Sequence, residues 1–259
     1  MIEQSQAAGK EDREGMTKPT EAADNWNTRQ RILVVLAHPD DPEFFCGGSI
    51  ARWTRAGHVV EYCLITCGDK GTKDFSIESR ELCHIRQEEQ SAAGLVLGVK
   101  NIHFLNYEDG YLVASLELRK DITRVIRQVR PDVLVTCDPR TLFVGGNRLN
   151  HPDHRAAGQA ALDAVFPAAR DHLNFIELWR DEHLEPHIVR EVWVCGTLEP
   201  NTVLDVTDTW EIKISALYEH KSQIGDPKIL AERMRNRRRE GSTPDAPVYE
   251  ESYIRLAIG

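Results

Sequence analysis

The chain has 259 residues, 41% of them hydrophobic and 28% charged, and its 41 acidic and 32 basic side chains leave a formal charge of −9. That length fits one large domain or two small ones. The acidic balance argues against a broad basic face for nucleic acid, and no apolar run approaches the roughly 18 residues of a membrane helix.

The N-terminus has no apolar stretch of the kind a signal peptide needs, so a cytoplasmic protein is expected. Six cysteines are too few for a disulfide framework in a chain this long, and the expectation is reduced, mostly structural thiols. Residues 1–28 are polar and aperiodic and read as a flexible N-terminal arm, with Trp26 as the side chain that would dock it on a neighbouring subunit. Residues 29–259 read as a single domain.

From Arg31 onward strands and helices alternate. A fully apolar strand at 32–37 is followed by a helix at 47–56, a strand at 58–67 and a helix at 76–97 that stops at Gly98. A third strand at 102–105 precedes a helix at 116–129, stopped before Pro131, and a fourth strand at 132–137. A Gly/Asn-rich loop then leads to a helix from 152 to about 164, strands at 191–196 and 202–206, and helices at 210–222 and 227–239. Repeated βαβ units predict an α/β fold, with a mostly parallel sheet between two helix layers. In such sheets ligands bind beyond the carboxyl ends of the strands, where the strand order reverses.

Both candidate chemical clusters fall at that rim. The first strand runs into His38-Pro39-Asp40-Asp41-Pro42-Glu43, and the fourth strand leads to Asn150-His151-Pro152-Asp153-His154. Pro152 suits a first helical position, which puts His151 and His154 on one side of the first turn. A catalytic zinc takes three protein ligands and keeps one position open. His38, one of Asp40 and Asp41, and one of His151 and His154 would supply them. Zinc lowers the pKa of water in the open position to about 7. The spare aspartate is then a general base, and the spare histidine, as a cation, an oxyanion stabiliser or proton donor. This is the equipment of an amide or ester hydrolase.

AHPDD with PEFFCGGS, then RQEEQSAAGLVLGV, FLNYEDG and HPDHRAA, resembles the LmbE/PIG-L superfamily of zinc-dependent N-deacetylases over about residues 32–157, with VYEESYIRLA a weaker similarity near the C-terminus. The resemblance implies a Rossmann-like three-layer fold, removal of an N-acetyl group from an N-acetylglucosamine-type substrate, and homo-oligomers. It makes His38, Asp41 and His154 the ligands of Zn2+, or of Fe2+ in the cell. Asp40 becomes the base, and His151 the residue that stabilises the oxyanion or protonates the amine. Arg86 and Asp109 become substrate contacts, although Arg86 also reads as an i,i+3 partner of Glu89 and Asp109 as a turn residue before Gly110.

Some positions depart from the family pattern. Pro42 and Phe45 stand where many members carry Glu and Gly, which places Glu43 one position late near the expected pocket rim. Leu149 and Asn150 occupy the stretch where some members place a tyrosine, and Asn150 is a substitute hydrogen-bond donor to the substrate.

Other readings use the same residues. A two-His, one-carboxylate set also suits non-haem iron oxygenases, but strand–helix alternation does not fit their β-barrels. An amidase for another acyl group would share the metal site. A non-catalytic nucleotide- or sugar-binding module is the alternative of another class, although the first βα turn lacks G-x-G-x-x-G. The basic run at 233–240 lacks the interleaved aromatics of an RNA-binding surface and reads as a solvated helix face or subunit contact. The partner expected is a small amino-sugar molecule, not nucleic acid or a membrane.

Overall fold

Strands β2 (Arg31–Leu36), β3 (Val59–Thr66) and β5 (Val133–Cys137) are short and rich in Val, Ile and Leu, as strands covered on both faces must be, whereas β4 (Asn101–Tyr107), at the sheet edge, is only half-buried. This computed structural model describes residues 20–21, 24–145 and 147–258, so most of the expected 1–28 arm lies outside the described residues. The strands belong to one eight-stranded sheet of order β1-β9-β10-β8-β5-β2-β3-β4. It is completed by β1 (Thr20–Glu21), β8 (Glu191–Cys195), β9 (Thr202–Asp205) and β10 (Glu250–Ala257). A separate hairpin, β6 (Phe143–Val144) with β7 (Arg148–Leu149), interrupts the chain after β5.

From β8 through β5 and β2 to β4 every pairing is parallel. The chain runs β2, β3, β4 outward to one edge, then returns to place β5 against the other side of β2. The strand order therefore reverses between β2 and β5, and a crevice opens beyond their carboxyl ends.

Alternate residues of β2, with Ala37 just beyond it, feed two cores. Ile32, Val34 and Leu36 pack with α1 (Asp41–Arg55), α2 (Ser79–Leu97), α6 (Trp210–Leu217) and α8 (Pro227–Arg235). Leu33, Val35 and Ala37 pack with α3 (Leu116–Val129) and α4 (Pro152–Asp163) on the other face. All six side chains are fully buried, and each aliphatic one contributes about 1.5–3 kcal/mol by leaving water. Two short helices, α5 (Ile176–Arg180) and α7 (Lys221–Ile224), complete the α-helices among the described residues.

Several expectations need correction. Helix α1 begins at Asp41, not at residue 47, because Pro42 occupies its first turn; it is broken at Cys46 (φ −141°, ψ 19°). The restarted half is capped from across the fold, where the Gly48 and Ser49 amides donate to Glu251 Oε1 and Oε2 at 3.0 and 2.7 Å. Lys213 Nζ lies 2.6 Å from Glu251 Oε1 and also donates to the Phe44 carbonyl at 3.0 Å. Strand β10, unforeseen in the sequence, is antiparallel to β8 and β9. The helix expected at 210–222 is two helices, α6 and α7, with His220 at the corner.

Trp26 packs on its own domain. Its ring centroid lies 6.0 Å from Trp53 and 5.8 Å from Trp193, and its Nε1 donates to Glu191 at 3.2 Å. Cys67 and Cys83 form a disulfide, contrary to the expectation of reduced thiols; the end of β3 and the first turns of α2 bring their Cα atoms to 5.1 Å. The other four cysteines are free and buried.

Candidate active site

Beyond β2 the chain makes a tight turn through His38 and Pro39 into α1. Asp40 takes the left-handed conformation (φ 83°, ψ −26°), uncommon for a residue with a side chain. Its N–H donates to Gln90 Oε1 of α2 at 2.9 Å, and its carbonyl accepts from Phe44 N at 3.0 Å. Asp41 folds back at the first turn of α1 so that Oδ2 accepts the His38 amide at 2.9 Å. On the other side of the crevice, His151 caps α4, its Nδ1 accepting from Asp153 N at 3.2 Å. That bond leaves Nε2 as the His151 nitrogen that carries a proton in the neutral ring.

The two segments meet at Asp41. His154 Nε2 lies 3.1 Å from Asp41 Oδ1, and His38 Nδ1 lies 3.3 Å from Asp41 Oδ2. One ligand atom from each of His38, Asp41 and His154 falls within 4.8 Å of the others, a grouping that could hold a metal ion; His38, His151 and Asp153 make a second such group. The second is the poorer host, because Asp153 is already spent. Its Oδ2 accepts from Gly110 N at 2.7 Å and faces His38 Nε2 at 3.3 Å, and its Oδ1 accepts from Leu112 N.

The His154 ring is oriented from behind. Asn150 Nδ2 donates to the Thr141 carbonyl at 2.8 Å, which turns Asn150 Oδ1 toward His154 Nδ1 at 3.1 Å. Asn150 is thus committed on both ends and is not the substrate donor expected from its position.

Charge is concentrated here. Burial works against a cationic His38, but hydrogen bonds to Asp109, Asp153 and Asp41 hold its pKa well above the usual value. Burial works to raise Asp109, yet His38 prevails and draws it down to about 2. Asp40 is pushed up to about 6 by loss of hydration, with Arg86 opposing and the charge of Asp41 assisting. Burial, and after it the charge of the neighbouring His38, lower the pKa of His151.

The expected site residues all gather at this crevice. Arg86 is buried and does not pair with Glu89; its Nη1 and Nη2 donate to the Gly68 and Pro39 carbonyls at 2.9 and 2.6 Å, and Nη2 lies 3.3 Å from Asp40. Asp109 Oδ1 lies 3.0 Å from His38 Nε2. Glu43, expected at the rim, is fully buried beneath the turn with Gln90, Tyr62 and His220. Asp153, Gln90 and His220 were missed. Asp153 lies inside the HPDH motif and Gln90 lies four residues after Arg86 on the same helix face, so both had a signal; His220 had none.

Fold and crevice together place the chain among α/β enzymes that work at the switch point of a parallel sheet. The chain belongs to the PIG-L family, described as GlcNAc-PI de-N-acetylase, whose match spans residues 33–165, and it is an N-deacetylase. It is 36% identical over 199 residues to the diacetylchitobiose deacetylase of Thermococcus kodakarensis, covering 77% of this chain and 72% of that one. The structure of N,N'-diacetylchitobiose deacetylase from Pyrococcus horikoshii superposes with a TM-score of 0.78 at 31% identity, covering 88% of this chain and 84% of that one. The fold alone is shared with GalB, the 4-carboxy-2-hydroxymuconate hydratase of Pseudomonas putida, at a TM-score of 0.66 and 20% identity over 86% of this chain and 95% of that one.

Proposed function

We propose that the chain hydrolyses the N-acetyl group of an N-acetylglucosamine-type amino sugar or glycoside, with a zinc ion held by His38, Asp41 and His154. The observation that carries this reading is the convergence of those three side chains, from βα units more than a hundred residues apart, beside a carboxyl whose pKa stands near 6. Two imidazoles and a carboxylate are a donor set zinc accepts in catalytic sites. The Asn150 acceptor behind His154 fits too, since it leaves the Nε2 lone pair facing Asp41. Zinc in such a set supplies a low-pKa water and polarises the amide carbonyl; Fe2+ suits the same donors.

The protein's own groups do the rest. Asp40 takes the proton of the attacking water, a task that a raised carboxyl pKa suits near neutral pH. His151 presents Nε2–H to the carbonyl oxygen as it becomes anionic, and the proton that Asp40 took from the water passes to the departing amine. Arg86 and Asp109 touch the base and a ligand, so a sugar hydroxyl bound by either is held one side chain from the reacting amide.

Among the described residues no helix is long and apolar enough to cross a membrane. Within the basic run, Arg235 pairs with Glu211 and Arg239 with Glu250, which supports a small-molecule substrate rather than nucleic acid. Leu142, Phe143 and Leu149, exposed at the β6–β7 hairpin, support a homo-oligomer.

The test is acetate release from N,N'-diacetylchitobiose and from N-acetylglucosamine, with and without a chelator, alongside metal analysis. We expect about one zinc or iron per chain, chelator-sensitive acetate release, and an Asp40→Asn variant that keeps its metal but loses at least about 100-fold in kcat. No metal and no acetate, or an Asp40→Asn variant with full turnover, refutes this assignment.

A further inference from the structure

Beneath the reactive turn lies a chain of buried polar groups that the chemistry above does not use. Glu43 is fully buried, and its carboxylate accepts from Gln90 Nε2 at 3.0 and 3.1 Å, from the Tyr62 hydroxyl at 3.2 Å and from His220 Nε2 at 3.1 Å. Gln90, also fully buried, spends its other end on the Asp40 amide, Oε1 accepting at 2.9 Å. His220 reaches Glu43 because the α6–α7 corner is fastened to α2, with both Ser222 N and Ser222 Oγ donating to Glu89 at 2.7 Å.

The polarity of this chain is fixed at both ends. A backbone N–H only donates and an ionised carboxylate only accepts. The side chain between Asp40 N and Glu43 must therefore show oxygen to one and NH2 to the other. An amide does this and a carboxylate does not, so Glu43 selects the orientation of Gln90, and Gln90 in turn holds the Asp40 amide. That amide belongs to a residue with φ 83°, a left-handed conformation that residues with a side chain disfavour. The direction of the Asp40 carboxyl follows from that backbone.

We propose that Glu43, Gln90 and His220 are positioning residues for the base, holding Asp40 in its left-handed conformation through the Gln90 amide. This rests on the deacetylase reading, in which Asp40 removes the proton.

The test is a polarity reversal. Gln90→Glu keeps length and volume but sets carboxylate against carboxylate; adding Glu43→Gln restores a donor facing an acceptor, because the new glutamate accepts from both Asp40 N and the new amide. Expected for Gln90→Glu is a fall in kcat of about 100-fold, the cost of misplacing a reacting group by an ångström, with KM within about threefold and metal content unchanged. The double variant recovers at least about tenfold in kcat over Gln90→Glu, which a generic loss of packing would not do. In parallel, NMR hydrogen exchange of the Asp40 amide in the metal-loaded protein is slow in the wild type, fast in Gln90→Glu and slow again in the double variant.

A Gln90→Glu enzyme with wild-type kcat overturns the proposal, as does a double variant no better than the single one. Unchanged Asp40 exchange in Gln90→Glu overturns it equally. A wild-type chain that releases no acetate refutes the deacetylase reading instead, and amide exchange then still decides whether the link from Glu43 to Asp40 exists.

Discussion

Replacing Asn150 by alanine isolates the contribution of a residue that touches no substrate. In the wild type the Asn150 amide is clamped by its bond to the Thr141 carbonyl at 2.8 Å, and Oδ1 faces His154 Nδ1 at 3.1 Å. Removing it leaves Nδ1 without its acceptor, so the ring is free to rotate or change tautomer and the Nε2 lone pair no longer points steadily at the Asp41 side of the crevice. Partners behind a metal-ligating imidazole are worth about 10–100-fold in affinity, or about 1.4–2.7 kcal/mol. Competition between the stripped protein and a chelator of known zinc affinity measures the change, and Asn150→Ala should weaken zinc by that factor. Asn150→Asp supplies an acceptor again and should stay within a few-fold of wild type, although it gives up the bond to Thr141. Equal zinc affinity in Asn150→Ala and wild type would refute the reasoning, and so would an Asp variant as weak as the Ala one.

Two further predictions concern the scaffold. Lys213→Met removes the cation 2.6 Å from the buried Glu251 and should destabilise the fold by about 3 kcal/mol in urea unfolding; a change under about 1 kcal/mol would show that the remaining donors to Glu251 suffice alone. Gly158→Ala puts a methyl 2.2 Å from the Cys137 carbonyl oxygen, forcing α4 away from β5. That should cost up to about 3 kcal/mol of stability and weaken metal binding together with acetate release, since α4 carries His151 and His154; unchanged metal binding would mean that α4 adjusts without disturbing the crevice.

The alternating strands and helices were legible because strands buried on both faces read as short unbroken apolar runs, set between longer helical stretches. Leu116–Val129 came out to the residue, bounded by Ser115 at its N-cap and by Arg130, which is left-handed, just before Pro131. The two His/Asp motifs were legible because each sits where a strand ends. Gly47 and Gly48 misled: they read as a helix start, but the helix begins six residues earlier and the glycines lie just past its break, where a Cβ on Gly48 would sit 2.8 Å from Val206. Strand β10 (EESYIRLA) has no clean alternation, with two glutamates side by side and then Tyr253 and Ile254 together, so it reads equally well as a loop. Its Glu251 carries no mark in one dimension of the role it has in three. The same holds for His220 and Lys213, polar residues buried because their partners arrive from elements far along the chain. Cys67 and Cys83 looked like two thiols among six until the loop between β3 and α2 closed.

Strand β10 has a consequence for how the chain comes together. Both of its neighbours, β8 and β9, precede it in the sequence, so during synthesis they must wait with facing edges unpaired until residues 250–257 arrive to fill the slot. Unpaired edges are templates for association with other chains. A nascent or truncated chain that stops before Glu251 therefore exposes two sheet edges and leaves the restarted half of α1 uncapped at the same time. The last strand among the described residues thus acts as a seal, and a product missing it should be recovered as aggregate rather than as a weakly active enzyme.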